Sequence, residues 1–127
     1  MKKILLLLTC LCTLQLGWSE AAAHLRDTEA YQALMNDETI QLVDVRTADE
    51  FNAGTIGKAQ NIDYLSEDFK AKLTSLNKDE PVYVFCRSGN RSEKARNIML
   101  ELGFKEVYDL EGGYNAWQQS EAAKEQK

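Results

Sequence analysis

The apolar positions fall into four short runs separated by segments of helical spacing. Residues 40–45, 59–62, 82–85 and 106–110 are the strand-like runs. The 82–85 run, Val-Tyr-Val-Phe, is too short and too apolar for anything but a central strand. Tyr31, Leu34 and Met35 share one face of the segment 28–35, with Asp27 or Thr28 as the cap, which predicts a short helix. Residues 48–52 predict a helical turn, and Gly54 and Gly57 bracket the loop after it. Phe69, Leu73 and Leu76 recur at helical spacing within 67–76, and 77–81 is a turn. Asn90 is placed as an N-cap, with Glu93 at the capping-box spacing. Ala95, Ile98, Met99 and Leu102 then make an apolar stripe that Gly103 ends. Gly112 and Gly113 form a turn, and a last helix from Tyr114 to Gln119 frays into a charged tail. Strands alternating with helices predict an α/β fold, with a central, mainly parallel sheet and helices on both faces. Ligands of such sheets bind at the carboxyl ends of strands, where both Asp44 and Cys86 stand.

The first residues stand apart. Lys2 and Lys3 precede an apolar run over 4–16, interrupted only by Thr9, Cys10, Cys12, Thr13 and Gln15, and Ala21, Ala22 and Ala23 supply small residues for cleavage. This pattern predicts a secretory signal peptide over 1–23 and a single domain over 24–127, exported to the periplasm. The apolar run is shorter than the ~20 residues of a membrane span, so no stable membrane insertion is expected after cleavage. Thr9 and Leu11 argue against lipidation at Cys10 or Cys12. Beyond the leader, the chain has the length of one ordinary domain, able to bury a single core.

The chain has 15 Lys+Arg against 20 Asp+Glu and a formal net charge of −5. Losing Lys2, Lys3 and Glu20 with the leader makes the remainder slightly more acidic. That balance argues against nucleic acid or anionic lipid as a partner. Cys10 and Cys12 lie in the leader, so Cys86 stays alone, as a reactive thiol or an intermolecular partner. A lone cysteine permits neither an internal disulfide nor a cysteine-cluster metal site. His24, the one histidine, sits at the cleavage point, which excludes a papain-like Cys–His pair.

The chemistry concentrates after the 82–85 run. Cys86, Arg87, Ser88, Gly89, Asn90 and Arg91 form a polar loop that leads straight into a helical pattern. A thiol at a strand end, facing a helix N-terminus and guanidinium groups, is placed to react as the thiolate. The thiolate is the nucleophile, so the loop reads as a site of covalent sulfur chemistry.

Four segments together resemble the single-domain rhodanese family. Leu42-Val43-Asp44-Val45-Arg46, with Glu50-Phe51 and Gly54, is similar to its N-terminal signature, and Ala59-Gln60-Asn61-Ile62 to its continuation. Cys86 with Gly89 three later and Arg91 five later resembles the active-site loop, and Gly112-Gly113-Tyr114-Asn115-Ala116-Trp117 the C-terminal signature. Two features depart from the usual pattern: Thr55 stands where a histidine is common, and Lys58 is an extra residue. The resemblance implies a sulfurtransferase with no metal or organic cofactor. Cys86 would take a sulfane sulfur from thiosulfate or a similar anion and pass it, as a persulfide, to cyanide or a thiol. A protein sulfur donor or acceptor also fits. The N–H groups from Arg87 to Arg91 would ring the sulfur, Gly89 would let the backbone curl, and Arg87 and Arg91 would attract the anion, with Arg91 also bracing the loop.

The supporting residues are less directly readable. Asp44 is expected to accept hydrogen bonds from the neighbouring loop, and Arg46 to pair with Glu50 or approach the site. The alternative for both is a scaffold pair. Tyr114 and Trp117 read as core or rim packing, and Lys94 to Arg96 as a solvated helix face. Two other functions compete: a phosphatase or arsenate reductase of the same fold, and a sulfur carrier without turnover. The first uses five residues between cysteine and arginine where this chain has four between Cys86 and Arg91. The shorter loop suits a sulfur atom better than a tetrahedral phosphate.

Overall fold

The computed structural model describes residues 23–125. The proposed leader therefore lies outside the described residues, except for Ala23. Five parallel strands form one sheet: β1 (Leu25–Arg26), β2 (Gln41–Asp44), β3 (Gln60–Asn61), β4 (Val82–Phe85) and β5 (Val107–Leu110), in the order β1-β5-β4-β2-β3. The helices are α1 (Thr28–Leu34), α2 (Ala48–Ala53), α3 (Phe69–Lys72), α4 (Asn90–Glu101) and α5 (Gly113–Glu125), and a 3₁₀ turn (Leu73–Ser75) extends α3. The expected α/β fold with a parallel sheet is the observed one.

Side chains alternate across the sheet with the strand period of two. Val43, Val45, Val82, Val84, Cys86 and Val107 face one side, packed with Phe69, Leu73, Ala95 and Met99 of α3, the 3₁₀ turn and α4. Leu42, Phe85 and Leu110 face the other side, with Tyr31 of α1 and the half-buried Tyr114 and Trp117 of α5. Strand β4 is in the middle and is buried from both sides, as its unbroken apolar run requires. Tyr31 is fully buried, yet its hydroxyl donates to the Val84 carbonyl at 2.7 Å, so α1 is pinned to β4 without an orphaned polar group.

Caps explain the helix limits. Asp27 accepts from the Ala30 N–H at 2.9 Å and starts α1. The capping box expected at Asn90 and Glu93 is absent. Asn90 is the first residue of α4, its cap is Gly89 at φ +118°, and no side chain caps it. The box instead sits at the start of α2, where Thr47 and Glu50 satisfy each other's backbone N–H. Gly103 ends α4 as expected: Phe104 N–H reaches the Met99 carbonyl and Gly103 N–H the Leu100 carbonyl.

Three further differences have local causes. The 59–62 run gives only the two-residue β3, because Ala59 and Ile62 turn into the core while only Gln60 and Asn61 pair with β2. Segment 67–76 is helical over 69–75 in two short pieces. Arg96 is not on a solvated face: its Nε donates to the Val107 carbonyl at 2.9 Å, tying α4 to β5.

Candidate active site

Strand β4 ends at Phe85, and Cys86 begins a tight loop whose thiol points into the core beside α4. Gly89 N–H donates to Sγ at 3.1 Å, and Ser92 Oγ lies 3.3 Å from it. Of the ring of amides expected around the sulfur, Gly89 is the one in direct contact. Its φ of +118°, a backbone shape that favours glycine, turns the chain from the loop into α4. Cys86 is 1% exposed, its thiol packed in the core cluster beside α4.

The other side of the loop rests on the start of α5. Tyr114 N–H donates to the Cys86 carbonyl at 2.8 Å and Asn115 N–H to the Arg87 carbonyl at 3.0 Å. Two N–H groups left open at the start of α5 are thus satisfied by the loop itself. The approach requires Gly113: a Cβ there would sit 2.6 Å from both carbonyl oxygens. By sequence Gly113 is only a turn glycine, and its main role is to let two backbones touch.

Arg91 is committed to the scaffold. It forms a bidentate ion pair with Glu50, at 2.6 and 3.0 Å, joining the loop to α2. Arg91 hydrogen bonding holds Glu50 down at about 2, and the Thr47 cap adds to it. Of the two roles expected for Arg91, bracing is the observed one. Arg87 is exposed, without a hydrogen bond or ion pair to its side chain among the described residues. Ser88 and Asn90 are exposed as well.

For Asp44 and Arg46 the scaffold pair is the observed alternative, and the expected hydrogen bonds from the loop to Asp44 and the pairing of Arg46 with Glu50 are not. Asp44 accepts nothing from the Cys86 loop. Its carboxylate takes the Arg46 backbone N–H at 3.0 Å, the Arg46 guanidinium at 2.9 and 2.7 Å, and the Thr55 hydroxyl at 2.9 Å. Arg46 therefore pairs with Asp44 and not with Glu50, whose carboxylate Arg91 already holds. Both Asp44 and Arg46 are buried, and the guanidinium also donates to the Gly54 carbonyl at 2.7 Å and lies 4.1 Å from the Tyr114 ring centre. Arg46 does approach the site: with Arg87, Glu50, Tyr114 and Asn115 it lines a cleft of about 260 Å³ beside the loop. Thr55 takes part in this cluster through its hydroxyl. A larger cavity of about 420 Å³, lined by Leu34, Met35, Ile40, Leu42 and Trp117, includes no residue of the 86–91 loop. Among the described residues no group of three His, Cys, Asp or Glu side chains is gathered to hold a metal ion.

Residues 27–120 match the profile of the rhodanese-like domain. The chain belongs to the rhodanese-like family. It is 34% identical over 85 residues to the thiosulfate sulfurtransferase GlpE of Shewanella oneidensis, covering 67% of this chain and 82% of that protein. It is also 36% identical over 88 residues to the tRNA uridine(34) hydroxylase of Pelagibacter ubique, covering 68% of this chain. This chain spans only 29% of that hydroxylase. Among solved structures, a rhodanese-like domain protein from Staphylococcus aureus superposes with a TM-score of 0.66 at 31% identity, over 73% of this chain and 89% of that one. The human single-domain sulfurtransferase TSTD1 shares the fold at a TM-score of 0.64 and 24% identity, over 76% and 96% of the two chains. The rhodanese-like chain thus has relatives named for sulfur transfer and relatives named for another activity.

Proposed function

We propose that this protein moves a sulfane sulfur from thiosulfate or a similar small anion to cyanide or a thiol, with Cys86 carrying it as a persulfide. The observation that carries this reading is the Gly89 N–H aimed at a nearly enclosed Cys86 sulfur, in a loop whose Arg87 lines a neighbouring cleft. In the first half-reaction the Cys86 thiolate attacks the outer sulfur of thiosulfate. A bond forms between Sγ and that sulfur, the sulfur–sulfur bond of the donor breaks, and sulfite leaves with the electron pair. In the second, an acceptor thiolate or cyanide attacks the outer persulfide sulfur and Cys86 leaves as a thiolate. Gly89 N–H and the adjoining start of α4 favour negative charge on sulfur at each stage. Arg87, exposed and without a side-chain partner among the described residues, supplies positive charge on the cleft wall for an anionic donor.

A phosphatase or arsenate reductase is disfavoured by the same geometry. Such chemistry needs a loop arginine free to hold a tetrahedral oxyanion, and Arg91 is held by Glu50. The resemblance to thiosulfate sulfurtransferases supports the reading, and the hydroxylase relatives make the reaction itself what the activity test decides. The leader pattern around Lys2, Lys3 and the 4–16 run supports work in the periplasm, which cell fractionation of the full chain tests.

The test of activity is thiocyanate release from thiosulfate and cyanide. Turnover by the wild-type chain and none by Cys86→Ser is expected. Turnover retained in Cys86→Ser removes the mechanism. Sulfur loading without release to cyanide or small thiols moves the protein to the carrier reading.

A further inference from the structure

Cavities of unlike charge border the 86–91 loop. Arg87 lines the cleft of about 260 Å³ that Arg46 and Glu50 share. Ser88 and Gly89 line another, of about 380 Å³, between the start of α4 and the ends of β1 and β5. The two have no lining residue in common. Three carboxylates belong to the second: Glu93 of α4, Asp109 of β5 and Glu111 just after it. No Lys or Arg lines it. Close by, Arg96 donates to the Val107 carbonyl and Arg26 to the Ala23 and Leu25 carbonyls. His24, also on the wall, is held below its usual value by burial and by Arg96, so it adds no positive charge at neutral pH.

Exposed carboxylates alone are solvated charge. Asp109 differs from them. It is 2% exposed, and its Oδ1 receives no hydrogen bond among the described residues. A buried acceptor of this kind calls for a donor. Burial pushes Asp109 up to about 6, the direction taken by a carboxyl group short of positive partners. Glu93 and Glu111 are exposed. The cavity therefore has negative charge on its rim and a buried acceptor in its lining. The three carboxylates are not gathered as a metal site. Their arrangement suits a nitrogen cation with several N–H donors on an organic body.

We propose that this cavity receives the ammonium group of the sulfur acceptor, a small thiol that carries a positive charge, an inference that rests on the reading of Cys86 as the sulfur carrier. Gly89 lines the cavity, and its N–H is 3.1 Å from Cys86 Sγ. A short aminothiol whose nitrogen is held by the carboxylates thus has its sulfur on the loop side of the cavity. It reacts as the thiolate, having given its proton to water. Its sulfur bonds to the outer sulfur of the Cys86 persulfide, the bond from that sulfur to Sγ breaks, and Cys86 leaves as a thiolate. The acceptor departs as a persulfide, and no other oxidant or reductant is needed. Donor and acceptor then approach from different sides: the anionic donor by Arg87, the cationic acceptor by Glu93 and Glu111.

The test uses the full chain and thiols that differ in charge: 2-aminoethanethiol, 2-mercaptoethanol and 2-mercaptoethanesulfonate. Each discharges the Cys86 persulfide formed with thiosulfate, and the rate with the cationic thiol is divided by that with the neutral one. Comparing this ratio between variants and wild type cancels the thiols' intrinsic reactivities. Glu93→Gln and Glu111→Gln are each expected to lower the ratio about two- to fivefold at low salt, and less at high salt. Asp109→Asn should lower it as well. Glu101→Gln, at the far end of α4, removes the same net charge and should leave the ratio as in wild type. Melting curves check folding, and the two exposed glutamates decide alone should Asp109→Asn not fold. An unchanged ratio in both glutamate variants, or an equal fall in Glu101→Gln, overturns the proposal and leaves the sulfurtransferase reading intact. The aminoethyl, methyl and sulfonatoethyl methanethiosulfonates repeat the comparison on the Cys86 thiol itself. A wild type that takes no sulfur from thiosulfate removes the sulfurtransferase reading. In that case a preference for the aminoethyl reagent that depends on Glu93 and Glu111 upholds the cation site, and its absence overturns it.

Discussion

Two arginine–carboxylate pairs stand at the ends of adjacent strands and do different things. Asp44 and Arg46 are two residues apart, both buried, and close on each other with four hydrogen bonds and the Thr55 hydroxyl. Arg91 and Glu50 are 41 residues apart, partly exposed, and join the Cys86 loop to the first turn of α2. The local pair can form as soon as β2 ends and then supports the cleft from below. The distant pair exists only when the loop and α2 are both in place, so it reports and enforces the loop's shape. Two similar side-chain pairs thus serve a stable foundation in one case and a precise geometry in the other.

The comparison breaks most sharply at Arg46. Arg46→Ala leaves the Asp44 carboxylate buried and unpaired, and should lower stability by about 3–5 kcal/mol. Chemical denaturation measures it, and a loss under about 1 kcal/mol would mean that Asp44 finds another partner. Gly113→Ala comes next. Its Cβ collides with the Cys86 and Arg87 carbonyls, so sulfur transfer should fall by about tenfold or more while the melting point shifts modestly. Wild-type transfer in that variant would mean that the loop can shift without penalty.

Glu50→Gln separates the two pairs by pH. The Glu50 pKa is lowered in the folded protein, from 4.5 to about 2, chiefly by Arg91. Its contribution to stability is therefore present in full above its unfolded value and is lost as pH falls through the folded one. Between about pH 5 and pH 2 the wild type should lose stability that Glu50→Gln has already lost. At neutral pH the difference should be about 1 kcal/mol or less for so exposed a pair, with a several-fold fall in transfer rate. Equal acid sensitivity in the two proteins would remove the pair from the account. The smallest effect is at Arg87. Arg87→Ala should leave stability unchanged and raise KM for thiosulfate by a few-fold, with less effect at high salt.

The sequence made β4, its cysteine loop and α4 legible because each is written in consecutive residues: an apolar run, a polar loop, then a helical stripe closed by Gly103. Asp44 and Arg46 were legible as residues of interest, but their partners were not. Glu50 was free to suit either arginine by sequence, and the choice depends on how α2 packs against the loop. Strand β1 was missed because two residues at a sheet edge carry no period of their own; Leu25 and Arg26 are extended only because β5 is there to pair with. Asn90 looked like a cap by residue type, yet Gly89, at φ +118°, is the residue before the helix, a conformation that favours glycine and that no residue-type rule for caps reveals. Asp109 did leave a trace: within 107–110 it shares the inward face with Val107, and a carboxylate there is out of pattern.

The most direct test is the intact mass of the purified protein before and after thiosulfate, without reductant. Gain of one sulfur atom in the wild type, absent in Cys86→Ser and removed by cyanide, is the predicted result. An unchanged mass in wild type, or the same gain in Cys86→Ser, would contradict the assignment of Cys86 as the sulfur carrier.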